Sequence, residues 1–198
     1  MKIFKLVVII YLILWNYTGY CQNGNNIVAE FNNARKQVDS NLSSHFPEII
    51  LSKAIGISVK PALESEYNEG LGLSYAIALK KENLTILIDS LNKLRLPVFR
   101  LNSKKTFQID RPYGEGTSNQ KNCNPLPNYS RWAHSFFPDE KLPKDMRFYI
   151  IDAKAGEYLS KNLLTKGGGL PKEWKNGYSR GIAISEKTNT VIYWLVVW

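Results

Sequence analysis

The sequence predicts an α+β domain, with N-terminal helices packed on a mainly antiparallel sheet that ends in a C-terminal β-hairpin. Three observations carry this. In the first half of the chain, apolar residues recur at steps of three and four, at Ile27, Phe31, Ala34, Val38 and Leu42 and again from Leu84 to Leu94. Beyond residue 97 the apolar runs are short and rich in β-branched and aromatic residues. The last of them, VIYWLVVW, is apolar at every position, as a strand covered on both faces would be.

Residues 1–21 have the three-part layout of a secretory signal peptide. Lys2 and Lys5 precede ten apolar residues, Leu6 to Trp15, and Gly19 and Cys21 stand at the −3 and −1 positions of a cleavage between Cys21 and Gln22. A membrane helix needs roughly 20 apolar residues, so an uncleaved anchor ranks below cleavage. A lipid anchor on Cys21 also ranks below it, because Tyr20 is bulky where such signals carry a small residue. The expected product is exported (secreted, periplasmic or cell-surface), with no stable transmembrane segment in the mature chain. Residues 22–198 then form a single domain of 177 residues (198 − 21), enough for a core of its own.

Within that domain, residues 22–26 read as a polar linker and the first apolar face as one helix running to Leu42. Pro47 closes it or opens a second short helix, PEIILSKAI. PALESEY reads as helix and GLGLSYAIAL as strand. Glu82 to Leu94 is a helix with Asn83 as its cap, stopping ahead of Pro97. PVFRLN and KTFQID read as a hairpin about Asn102–Lys105. Residues 111–145, rich in Pro, Gly, Asn and aromatics, form a long loop region, which at this length is either functional or packed down by its own side chains. MRFYIIDA is a strand, EYLSKNLL a short helix, and SRGIAIS and TVIYWLVVW form a hairpin that draws Trp198 into the core.

The chain carries a net charge of +9, or +7 without Lys2 and Lys5. Residues 22–92 hold six Lys/Arg against eight Asp/Glu (−2), residues 93–121 seven against two (+5), and residues 153–198 seven against three (+4). An exported basic protein attracts nucleic acid, anionic glycans or anionic lipid heads; solubility alone is the plainer account. With two cysteines, one of them Cys21, no disulfide framework is available.

The stretch CNPLPNYSRWAHSFFPD offers Cys123, His134 and Asp139 as a nucleophile, base and orienting acid. Their separations permit contact without requiring it, and Cys123 lies between asparagines ahead of Pro125 rather than at a helix start. Two histidines and two cysteines without paired spacing predict no metal site, and nothing implies a cofactor. Asp110, Glu115, Asp139, Asp145, Asp152 and Glu157 are loop acids from which no glycosidase pair is selected. KGGGLPKEWKNGYSR lacks the Walker spacing. It does interleave cations with aromatics, and Lys172, Trp174, Lys175, Tyr178 and Arg180 are candidates to bind a ligand, joined by Arg131 and Trp132 if both loops line one recess. The rival account tucks both tryptophans into the core. Sequons at Asn41, Asn83 and Asn128 are ascribed to chance.

The function expected is a non-catalytic binding or interaction module using aromatic–basic loops, its partner a glycan, a polyanion or an exported protein. The alternatives are a small exported hydrolase of glycan, cell-wall or nucleic-acid material with His134 and a loop acid, or an inhibitor of another exported protein.

Overall fold

The computed structural model describes residues 24–47, 54–62, 70–109, 123–164 and 170–198. The signal-peptide reading, the Pro47 helix up to residue 53, PALESEY from Leu63 on, residues 110–122 and the triple glycine lie outside them.

The first apolar face is formed by two helices rather than one. Helix α1 spans Gly24–Arg35 and helix α2 Ser40–Ser43. The break comes at Asp39, whose Oδ1 accepts a 2.8 Å hydrogen bond from the Asn41 amide and so starts a new helix. The face survives the break: Phe31, Ala34 and Leu42 are buried, and Phe31 meets Phe46 edge-on at 5.2 Å. Strand β1 (Ala54–Lys60) follows where the second short helix was expected to end, then β2 (Leu71–Ala78). Helix α3, Lys81–Lys93, buries Leu84 and Leu91 as its spacing predicts. Its cap position is Lys80, not Asn83, and Leu94 beyond its end is exposed.

Strands β3 (Val98–Arg100), β4 (Thr106–Ile109) and β5 (Asn124–Pro127) precede helix α4 (Ser130–Phe136). The chain closes with β6 (Arg147–Ala155), β7 (Gly177–Ser185) and β8 (Thr190–Val197). Lys161–Leu163, expected as a short α-helix, is a 3₁₀ turn. Six strands make one antiparallel sheet in the order β1-β2-β8-β7-β6-β3, with the C-terminal hairpin β7–β8 at its centre. That position explains the apolar run of β8, which has a neighbour on each side and cover on both faces.

The hairpin expected between PVFRLN and KTFQID does not form. The turn is present, with Ser103 N–H donating to Arg100 O and Thr106 N–H to Ser103 O. However, β3 pairs with the open edge of β6 (Phe99 opposite Phe148), and β4 pairs in parallel with β5. Asn102, at φ 58°, turns the chain out of the sheet between them. The stretch expected as loop up to residue 145 therefore holds a strand and a two-turn helix.

The sheet is covered on both sides. One face sets Leu73, Leu195 and Val197 against Phe31, Leu42 and Phe46, and further along sets Tyr149, Ile182 and Val191 against Leu84 and Leu91 of α3. The other face sets Phe148, Ile192 and Trp194 against Leu126, Trp132 and Phe136. Trp198 is buried next to the hairpin ladder, exchanging hydrogen bonds with Gly177 at 3.0 and 3.1 Å.

Candidate functional site

Cys123, His134 and Asp139 occupy different surroundings. Cys123 is buried just ahead of β5, and its Sγ donates to the Lys104 carbonyl at 3.3 Å. His134 stands on the outer side of α4, its side chain 68 % exposed, with Nδ1 3.2 Å from Glu140 Oε2. Asp139 is exposed in the turn that follows. Glu140, rather than Asp139, is the acid that meets the histidine. Its left-handed backbone, φ 53°, and the bond from its amide to Phe137 O fold the chain back toward α4. Among the described residues, no three of His, Cys, Asp or Glu gather closely enough to hold a metal ion.

The two expected ligand tryptophans part company. Trp132 is a core residue: its ring lies nearly parallel to Phe148 at 6.0 Å, and its Nε1–H donates to Ser74 Oγ at 3.0 Å. Arg131, next to it on α4, points to solvent. Trp174 sits in a 3₁₀ turn, Lys172–Trp174, and is half-buried. Its ring is backed by Phe107 of β4 at 6.2 Å and by Trp198 at 6.0 Å, and its carbonyl accepts from Trp198 Nε1 at 2.9 Å. Lys172 and Lys175 flank it and are exposed. Lys104 and Lys105, also exposed, lead into the strand that carries Phe107. The rings that back Trp174 thus come from β4 and from Trp198, both outside residues 123–139. Strand β4 pairs with β5, and Ser179 Oγ, donating to Pro125 O at 2.8 Å, anchors that ladder to the sheet.

Tyr178 and Arg180 belong elsewhere. Alternate residues of β7 point to the face covered by α1 and α2, and there both reach Asp152 of β6. Tyr178 O–H donates to Asp152 Oδ2, and Arg180 Nη2 lies 4.0 Å from the same oxygen. Burial, then the hydrogen bond to the carboxylate, pushes the Tyr178 hydroxyl up to about 12, so it stays a donor at neutral pH. Arg180 Nη1 donates to the Asn41 carbonyl of α2, which ties the helix to the sheet. Beside it stands His45, whose Nε2 lies 2.8 Å from the Trp194 carbonyl.

Sequence reasoning singled out neither His45 nor the role of Asp152. Both left a trace: His45 precedes the buried Phe46 at the end of an apolar face, and Asp152 is the one acid inside MRFYIIDA. The chain matches no known family model, no curated protein and no solved structure.

Proposed function

We propose that the mature chain is an exported binding module without catalytic activity. Its ligand surface is the aromatic–basic end built on Trp174, and its ligand an anionic polymer with flat ring faces, such as a single-stranded nucleic acid or an acidic glycan. One observation carries the reading: Trp174 is half-buried, braced by Phe107 and Trp198, and flanked by exposed Lys172 and Lys175. A ring held in place has little freedom left to lose when a base or sugar stacks on it. Lysines around it attract the backbone of such a polymer over a Debye length of about 8 Å at physiological salt. Export rests on the layout of residues 1–21.

Fluorescence anisotropy with labelled single-stranded DNA, an acidic glycan and a neutral glycan tests this. Binding to an anionic polymer that weakens in Trp174→Leu and in Lys172→Gln/Lys175→Gln supports it. Equal affinity for the neutral glycan, or no change in either variant, defeats it.

A second reading, a small exported hydrolase of glycan, cell-wall or nucleic-acid material, draws on the His134–Glu140 pair. A carboxylate at Nδ1 would fix the tautomer that leaves the Nε2 lone pair toward solvent, as a general base needs. Polymer cleavage by the wild type that disappears in His134→Ala would favour it over the binding reading.

A further inference from the structure

We infer that His45 is an acid-sensitive latch: in its neutral form it fastens helices α1 and α2 to the sheet, and on protonation it releases them.

The geometry sets up the switch. His45 lies just beyond the end of α2, over the centre of the sheet, and its Nε2 lies 2.8 Å from the carbonyl of Trp194 in β8. The carbonyl can only accept, so Nε2 carries the hydrogen. In the neutral ring Nδ1 is then a bare lone pair, sealed from solvent with no hydrogen bond of ordinary geometry, and the Leu42 carbonyl is the backbone acceptor beside the ring that partly favours a proton. A second proton has to go there, into an enclosed site. The charges facing that site oppose it. Arg35 of α1 reaches over Phe46, the neighbour of His45, at 5.9 Å, and donates to Ser43 O. Arg180 of β7 bonds the Asn41 carbonyl and lies 3.5 Å from Ser44 Oγ. Asp152 of β6, the carboxylate beside Arg180, is already engaged by Tyr178 and Arg180. Tyr193 of β8, behind Phe46, is neutral, its hydroxyl pushed up to about 12 by burial.

These effects have a net sign. Burial disfavours the imidazolium, the Trp194 carbonyl favours it, Arg180 disfavours it, the Leu42 carbonyl favours it and Arg35 disfavours it; together they lower His45 from 6.5 to about 4. A histidine lowered in the folded state stabilises the fold fully above its unfolded value. That stability falls as pH drops from about 6.5 to about 4, where the unfolded chain takes a proton that the folded chain refuses. Across this window the unfolding equilibrium shifts toward the open form by about ten to the power 2.5 (6.5 − 4), roughly 300-fold. The shift falls on α1 and α2, because His45 bonds β8, Arg180 of β7 bonds Asn41, and Arg35 of α1 is held to the same segment through Ser43 O. Their release uncovers the aromatic sheet face, where Tyr75 lies 6.3 Å from Tyr193.

The test uses the full mature chain. Denaturant unfolding from pH 7.5 to 3.5 is compared among the wild type, His45→Gln and His134→Gln. Gln keeps a donor for the Trp194 carbonyl and does not titrate, whereas His134 is exposed and serves as the control. The expected result is a wild-type slope between pH 6.5 and 4 that His134→Gln retains and His45→Gln loses. Hydrogen exchange at pH 4 should rise in residues 24–47 ahead of β6–β8. A His45→Gln protein with the wild-type slope, or exchange that rises equally throughout, overturns the inference. Should His45→Gln not fold, the ring-proton NMR titration of the wild type decides: a His45 midpoint near 4 supports the latch, and one near 6.5 refutes it.

Discussion

At the scale of single residues, the tightest constraint is where β7 passes under the largest ring of the core. A Cβ on Gly181 would lie 2.2 Å from the Tyr149 carbonyl and 2.5 Å from two ring carbons of Trp194, one partner backbone and the other a fully buried side chain. Neither can give way without moving a central strand, so Gly181→Ala should destabilise the protein by about 3 kcal/mol in urea unfolding. Gly72 in β2 is the comparison. Its added Cβ would meet only the Lys60 Cβ at 3.5 Å, an ordinary contact, so Gly72→Ala should stay within about 0.5 kcal/mol of wild type. The same scale separates the two candidate tryptophans. Both stand beside lysine or arginine, so local composition treats them alike; what divides them is Ser74, 58 residues away, which accepts from Trp132 Nε1. Trp132→Ala should cost about 3–5 kcal/mol, and any loss of binding in that variant reports unfolding. Trp174→Leu, at a half-buried ring, is the informative substitution.

Among the elements, the central hairpin depends on a residue outside it. Asp145, just ahead of β6, accepts from the Lys187 amide at 2.8 Å and from Ser185 Oγ at 2.9 Å, and so holds the turn between β7 and β8. Burial pushes its carboxyl up, but these bonds and the amides of Asp145 and Glu186 outweigh burial and hold it below the usual carboxylate range. A depressed carboxylate stabilises the fold above its unfolded value, about 4, and the stability is lost as pH falls through the folded value. Asp145→Asn keeps one acceptor oxygen and loses the charge, which should cost about 1–2 kcal/mol at pH 7. Melting temperatures of the two proteins should draw together as pH falls below 4; a gap that stays constant as pH falls would mean that the charge is irrelevant. The hairpin itself was legible in the sequence, because β7 and β8 adjoin through a four-residue turn and carry strand residues throughout. Helix α3 was legible for its spacing. The partners of β3 and β4 were not, since each is chosen by a distant edge: β6, 49 positions on from Phe99 at Phe148, and β5 beyond residue 122. The apolar face of α1 and α2 was legible as a face, but the Asp39 cap that breaks it was overlooked. His45 could not be weighed at all without β8 beneath it.

Over the whole molecule, charge is divided by segment, −2 over residues 22–92 against +5 over 93–121 and +4 over 153–198. The segments that supply Phe107 and Trp174 are thus also the basic ones: exposed Lys172 and Lys175 flank Trp174 in the chain, and exposed Lys104 and Lys105 precede the Phe107 that backs its ring. This makes a quantitative demand on binding. Each lysine that neutralises a phosphate of a single strand adds about −0.7 to the slope of log affinity against log salt. Four such lysines give a slope of about −2.8, so affinity should fall roughly 50-fold between 50 and 200 mM salt. Lys172→Gln/Lys175→Gln removes two contacts, and its slope should fall to about −1.4, a loss of roughly sevenfold over the same range. Trp174→Leu should act differently: affinity drops by about 1–3 kcal/mol at every salt concentration while the slope holds near that of the wild type. A ring that stacks and lysines that pair with phosphates are separable in this way. If the lysine variant changes affinity without changing the slope, its lysines are not at the phosphates. If the tryptophan variant changes the slope, Trp174 acts by placing the lysines, and the ring is a brace for the surface and not part of it.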